Sequence, residues 1–373
     1  MSERESVVLE GGVAKEGFRN WPVSLVNFFI STASMACFIL VPLMGAQLGA
    51  SDFEVGLMGS VYGTTFLVSS LVSGWKSDQL GRLLFVRWGL LISSAAFAAQ
   101  VLADSVPVLI IVRGLVGFSL GISTAATIAY AFESGADMGK FSSYGSLGWI
   151  FGAVAVVILK EIHLVFWLSF LVCFMAFFVS LSFRKVPAHH FTRPPNLWHV
   201  LRRDYKIYLA VFLRHMGATA VWIIFPLYLV SVGYDNFWIG TFWGINFAVQ
   251  FLVMRQLMRF SELKIFFIGQ LLSVPVFIAY AFVTGRLYLI VIQVVMGVAW
   301  SCLYVGALLI VLKSGKEKGT AGGLFQSTLN LCNAIGPFLG GLIAQGWGYQ
   351  GVMLFAAALS AAGMLVAIPQ RRE

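Results

Sequence analysis

In a chain of 373 residues of which only 11% are charged, the groups able to recognise a solute sit inside long apolar runs. Arg113 is followed at helical spacing by Gly117, Leu120, Thr124 and Thr127, and a second stripe holds Gln293, Gly297, Trp300 and Tyr304. Asn27, Ser31, Ser34 and Phe38 form a third, and His215, Thr219, Trp222 and Pro226 a fourth. Gln326, Asn330 and Asn333, with Asn246 and Gln250, add amides. Residues three and four apart share one helix face, so each set is a single stripe. Such groups offer hydrogen bonds and ring contacts, which suit a solute of mixed apolar and polar character. The bland reading is that Ser and Thr bond their own backbone and that the rings pack. No acidic side chain falls near the middle of a run. A proton relay therefore has to use His215, which ordinarily titrates near neutrality, or Arg113 with acids at the rim. No phosphate-cradling loop, nucleophile triad or Cys/His metal pattern is visible, so no enzyme, metal or cofactor is expected.

These stripes need elements to carry them. With 59% hydrophobic and 15% aromatic residues and a mean hydropathy of +0.87, the chain has too few polar side chains to cover a water-soluble globule. About 20 apolar residues suffice to cross a bilayer as a helix. Twelve such runs are expected, at 21–44, 54–75, 83–103, 106–132, 141–160, 162–183, 206–232, 236–258, 264–284, 287–312, 319–345 and 349–369. They are apolar throughout, whereas barrel strands would alternate. The net charge of +9 points to topology and not to nucleic acid: of the 25 Lys and Arg, only Lys160 and Arg286 fall on the outer side, and Arg113 and Arg214 fall within runs. Positive residues stay in the cytoplasm, which puts both termini there and makes the chain a multi-pass protein of the cell membrane. The first run is long enough to span, so no cleavable signal is expected. Cys37, Cys173, Cys302 and Cys332 lie within runs and read as packed free thiols. Arg214, near the inner side, is expected to snorkel to water.

The polar, Pro-rich segment Arg184 to Lys206 divides the runs six and six. The expected organisation is a cytoplasmic tail (1–20), a six-helix bundle (21–183), a linker (184–205), a second bundle (206–369) and a tail (370–373). His189, His190 and His199 lie in the linker without acidic or cysteine companions and read as a solvated basic segment. The halves repeat. A shift of 184 puts Pro42 on Pro226, Gly49 on Gly233 and Gly56 on Gly240, and a shift of 180 puts Gly89 on Gly269, Arg113 on Gln293 and Gly117 on Gly297. The four-apart pairs Gly59 and Gly63, Gly117 and Gly121, Gly148 and Gly152, and Gly336 and Gly340 read as places of close helix approach.

Between runs 2 and 3, Gly74, Asp78, Gly81 and Arg82 form a glycine, an aspartate four on, then Gly-Arg. Together with "RGLVG" from Arg113 to Gly117, "GSLGWIFGA" and "GPFLGG", this resembles the major facilitator superfamily over essentially the whole chain. Val116 and Ala153 stand where drug-exporting members often carry glutamine and proline, and the second-half loop has decayed to "RQLMRFSEL". The resemblance implies an all-α fold of twelve spanning helices in two pseudo-twofold bundles, with a cavity lined by runs 1, 4, 7 and 10. It implies a latch in which Asp78 opposes the helix beginning near Lys318. It also places Ser31, Phe38, Arg113, Thr124, His215, Thr219, Trp222, Gln293, Trp300, Tyr304 and Asn330 as candidate cavity residues.

The expected function is a secondary transporter moving a small organic solute by alternating access, as a monomer in the lipid bilayer, with proton coupling through His215 open. Aromatic groups favour efflux of amphipathic or lipophilic compounds. Arg113 and His215 fit an organic anion, and the amides fit a sugar or nucleoside. A non-transporting receptor or scaffold on the same fold is the alternative of another class.

Overall fold

The computed structural model describes residues 21–136, 138–159, 161–184, 197–254, 256–315 and 318–367. Among the described residues every regular element is helical: α1 (Trp21–Gln47), α2 (Asp52–Leu80), α3 (Arg82–Ala99), α4 (Val106–Glu133), α5 (Met138–Leu159), α6 (Ile162–Ser180), the short α7 (Leu197–Arg203), α8 (Tyr205–Ser231), α9 (Asn236–Met254), α10 (Glu262–Phe282), α11 (Arg286–Lys313) and α12 (Lys318–Ala367). Ten of these stretches are long and apolar enough to cross a membrane, and α5 carries a shorter apolar one.

At 50 residues α12 is too long for one crossing, since a helix rises about 1.5 Å per residue. Gly348 breaks it with φ 70° and ψ 177°, a conformation that a side chain disfavours. Contacts with α8 give the direction of each arm. Along residues 318–347, Ala321, Cys332, Gly336 and Gly340 meet Tyr208, Phe212, Thr219 and Ala220, so this arm runs parallel to α8. Along 349–367, Ala356 meets Gly217 and Gly363 meets Ala210, so this arm runs back. The element is a hairpin, and it supplies the eleventh and twelfth expected spans.

Packing divides the helices into two groups. α1 packs on α5 and α6, α2 on α4, and α3 on α4 and α6; α8 packs on α12, α9 on α11, and α10 on α11 and α12. Duplication reaches individual contacts. Gly49 (φ 87°) and Gly233 (φ 91°) end α1 and α8 in the same way, with Ala50 N–H donating to Gly45 O at 2.9 Å and Tyr234 N–H to Leu229 O at 2.9 Å. Gly89 abuts the backbone of Ser123, and Gly269 that of Leu303, its equivalent. Gly117 abuts Tyr62, and Gly297 abuts Asn246.

The helix ends opposite Asp52 repeat an ion pair with reversed sign. Arg82 Nη2 meets Glu133 Oε1 at 2.8 Å between α3 and α4, while Lys313 Nζ meets Glu262 Oε2 at 3.1 Å between α11 and α10. A shift of 180 superposes Arg82 on Glu262 and Glu133 on Lys313.

Between the halves, α2 meets α12 and α5 meets α9. Tyr349 Oη donates to Asp52 Oδ1 at 3.1 Å, and Phe53 N–H donates to Gln345 Oε1 at 3.2 Å. A methyl added at Gly56 would stand 2.7 Å from Gly341 Cα, and one at Gly59 2.7 Å from Pro337 Cβ. Ser60 Oγ donates to Ala334 O. On the other flank a methyl at Gly240 would lie 2.6 Å from Val157 Cγ2, and the Trp149 and Phe247 rings lie 5.5 Å apart. Most of these contacts lie toward the Asp52 end of the bundle, with Trp149 and Phe247 near the middle of α5 and α9. Bare backbone forms much of this seam, which lets the helices approach closely.

Candidate substrate-binding chamber

Below that seam, rings from both halves form a continuous chain. Phe38 on α1 meets the edge of Trp243 on α9, centroids 5.9 Å apart. Trp243 lies 6.5 Å from Trp222 on α8, and Trp222 lies 5.9 Å from Trp300 on α11. Trp300 leads to Tyr304 at 5.5 Å, and Tyr304 to Phe325 on α12 at 5.4 Å. His215 is fitted into this chain, stacked on Trp300 at 4.9 Å and edge-on to Trp222 at 5.2 Å. Its Nδ1 is buried without a hydrogen-bond partner, as is Trp243 Nε1. Helical spacing accounts for the arrangement, because His215, Trp222, Trp300 and Tyr304 occupy one face of α8 and one face of α11. Between Trp222, Trp243, Asn246, Gln293 and Met296 lies a cavity of about 10 Å³, room for a single water.

Arg113 is 4% exposed on α4, with Nη1 donating to Gln100 Oε1 at 3.3 Å and its guanidinium 4.4 Å over the Tyr62 ring. Gln100 Nε2 in turn donates to Cys37 Sγ at 3.4 Å, and Cys37 Sγ lies 3.3 Å from Ser169 Oγ. Arg113 Nε is buried without a partner. The expected snorkelling of Arg214 does not occur: it is 0% exposed, wedged between α8, α10 and α11. Its Nε donates to Ser273 Oγ at 2.9 Å, Nη2 lies 3.3 Å from Met296 Sδ, and the guanidinium stands 5.2 Å over Trp300 and 5.4 Å over Phe277. Arg214 Nη1 has no partner. The face next to the His215 stripe meets α10 and α11, which leaves no path to water. Among the described residues every Asp and Glu stands at a helix end or in a connection, so neither arginine has a carboxylate beside it.

Other candidates lie elsewhere. Ser31 is 8% exposed and abuts Gly148 of α5. Asn27 Nδ2 donates to Phe141 O at 2.9 Å, also joining α1 to α5. Thr219 Oγ1 donates to Cys332 O at 2.9 Å and fills the space over Gly336. Both small polar residues therefore serve helix contacts. Thr124 is half-buried on α4, three turns from Arg113. Asn330 Oδ1 accepts from Gln326 Nε2 at 3.4 Å, and Gln250 Nε2 donates to Asn246 Oδ1 at 2.6 Å. Gln293 is 3% exposed, and its backbone O accepts from Asn246 Nδ2 at 3.1 Å.

In the loop signature, Gly81 has φ 96° and ends α2 while beginning α3, a backbone state that favours glycine. Arg82 Nη1 donates to Ser77 Oγ at 2.6 Å. Gly74 and Asp78 fall in the last turns of α2, but the Asp78 side chain lies outside the described residues, as do those at the start of α12 that it was expected to face. Trp243 and Gln100 were not singled out in the sequence. The neighbouring stripe of Asn246 and Gln250 was the available signal for Trp243; nothing local marked Gln100.

A sequence model of the Major Facilitator Superfamily matches residues 23–249 and 207–373. The inner membrane transport protein YajR of Escherichia coli K12 is 25% identical over 90% of this chain and 80% of its own length. The multidrug resistance protein MdtG of Escherichia coli strain 55989 is 24% identical over 91% of each chain. Among solved structures, the nucleoside transporter NupG superposes with a TM-score of 0.75 at 15% identity, over 94% of this chain and 99% of that one, a likeness of fold.

Proposed function

This chain belongs to the Major Facilitator Superfamily, and on that premise we propose that it exports amphipathic, ring-bearing organic compounds across the cell membrane by alternating access. The observation that carries this reading is the chain of rings from Phe38 through Trp243, Trp222 and Trp300 to Tyr304, which crosses from one half to the other beneath a seam closed at one end. A flat apolar body can replace ring–ring contacts in such a chamber, and its polar edge can take the unpartnered His215 Nδ1 and Trp243 Nε1. MdtG's name as a multidrug resistance protein supports the outward direction.

The bundles 21–183 and 206–369 rock about the chamber, joined by the linker 184–205, with tails 1–20 and 370–373 in the cytoplasm as the charge distribution indicates. In that orientation the seam at Asp52 and Tyr349 closes the outer side. His215 is the chamber's imidazole and the group through which a proton gradient would act. The functional unit is the monomer, since all of the chamber comes from one chain.

A single cysteine at Tyr304 in a protein lacking Cys37, Cys173, Cys302 and Cys332 tests the reading. An impermeant thiol reagent is expected to label it from the cytoplasmic side at rest and from the outer side during turnover on an aromatic dye. Transport of that dye into inverted vesicles, with and without a pH gradient, reports coupling. Labelling confined to one side under every condition would mean a receptor or scaffold instead.

A further inference from the structure

Each half holds one arginine inside the bundle with no acid beside it. A buried charge normally has a partner, because leaving it alone in a poorly polarisable surrounding is costly. Arg113 has a glutamine oxygen and a tyrosine face, and Arg214 a serine, a thioether and two aromatic faces. These are neutral partners, and Arg113 Nε and Arg214 Nη1 have none at all. Arg214 adjoins the ring chain in the second half, and Arg113 lies over Tyr62 in the first. Arg113 is tied through Gln100 to Cys37, which meets Ser169 of α6, and Arg214 stands over Trp300, the ring against which His215 stacks.

We infer that the cargo is an aromatic organic anion, its ring lying along Trp222, Trp300 and Tyr304 and its carboxylate, sulfonate or phosphate group held in the joint field of Arg113 and Arg214. This rests on the carrier reading and names its substrate class. In a low-dielectric chamber two like charges act over many ångströms. A cationic solute is repelled there, a neutral one leaves both charges uncompensated, and an anion supplies the missing counter-charge. Among the described residues no carboxylate lines the chamber, so a cation meets only ring faces, and Trp300 already lies against Arg214.

The experiment compares three near-isosteric probes, 2-naphthoate, 2-naphthamide and 2-naphthylmethylammonium, binding to the full chain in lipid nanodiscs by quenching of tryptophan fluorescence. Naphthoate is expected to bind at least about tenfold tighter than the amide, with the ammonium weakest. Arg113→Gln and Arg214→Gln should each bring naphthoate toward the amide's affinity while leaving the amide unchanged, and Arg→Lys at either position should keep the preference for the anion. Equal affinities for naphthoate and naphthamide, a tighter ammonium, or no binding by any probe would overturn the proposal. If the glutamine variants fail to fold, the ranking of the three probes on the unaltered chain decides by itself. Two-sided labelling at Tyr304 with no anion preference would leave the carrier reading standing and remove only this inference.

Discussion

Thr219 and Trp222 sit one turn apart on α8, and both belong to the stripe that the sequence marks, yet they do different work. Thr219 bonds across to Cys332 O at 2.9 Å, whereas Trp222 faces rings from α9 and α11. Thr219→Val keeps the shape and removes the hydroxyl. It should lower stability by about 1 kcal/mol, read as a lower unfolding midpoint in detergent, and leave the KM for transported dye unchanged. A raised KM would return Thr219 to the chamber. Helical spacing tells which residues share a face but not what that face meets. For Ser31 and Thr219 the missing information was on the opposing helices, where Gly148 and Gly336 bring the backbone so near that a small hydroxyl side chain is all that fits. For Arg214, its expected place near the inner side suggested water, and the packing of α10 and α11 over it was invisible from α8 alone.

Among the elements, the paired helix ends α3/α4 and α10/α11 show how duplication kept a contact while changing its sign. Arg82 begins α3 and Glu133 ends α4, which sets both charges against the local helix dipoles; Glu262 begins α10 and Lys313 ends α11, which sets both with them. The N-terminal pair is thus opposed by its own helices and held by ion-pair geometry, including a second Arg82 N–H, Nε, at 3.1 Å from Glu133 Oε1. Swapping the second pair, Glu262→Lys with Lys313→Glu, retains the ion pair and reverses both dipole contributions. The swapped protein should melt below the native one, a difference that disappears in high salt; equal midpoints at low salt would show that the dipoles are fully screened there. The second-half loop, RQLMRFSEL, has lost the signature's glycine and aspartate. The ion pair survived beneath that loss, since charge complementarity constrains the pair and not the identity of either member.

For the whole molecule, architecture was legible because membrane insertion demands long apolar runs and because the 184- and 180-residue shifts repeat down to single hydrogen bonds. Conformation was not, because a sequence encodes both ends of an alternating cycle. The seam on which this state depends is made of bare backbone at Gly56 and Gly341. Gly341→Leu puts a side chain against Asp52 O and Gly56 Cα, so this end cannot close while each half still folds. Transport should be lost, and a cysteine at Tyr304 should react mainly from the outer side. Wild-type transport in this variant would show that the seam parts far less than alternating access requires.

The gathering of the inter-bundle contacts at the Asp52 end has a mechanical corollary for the surrounding lipid. A body pinched at one leaflet takes up unequal area in the two once its other end parts, and reversing that shape during each cycle transfers area between them. Lateral pressure in the bilayer thereby enters the free energy of every turnover, so lipids of opposite spontaneous curvature would favour opposite halves of the cycle.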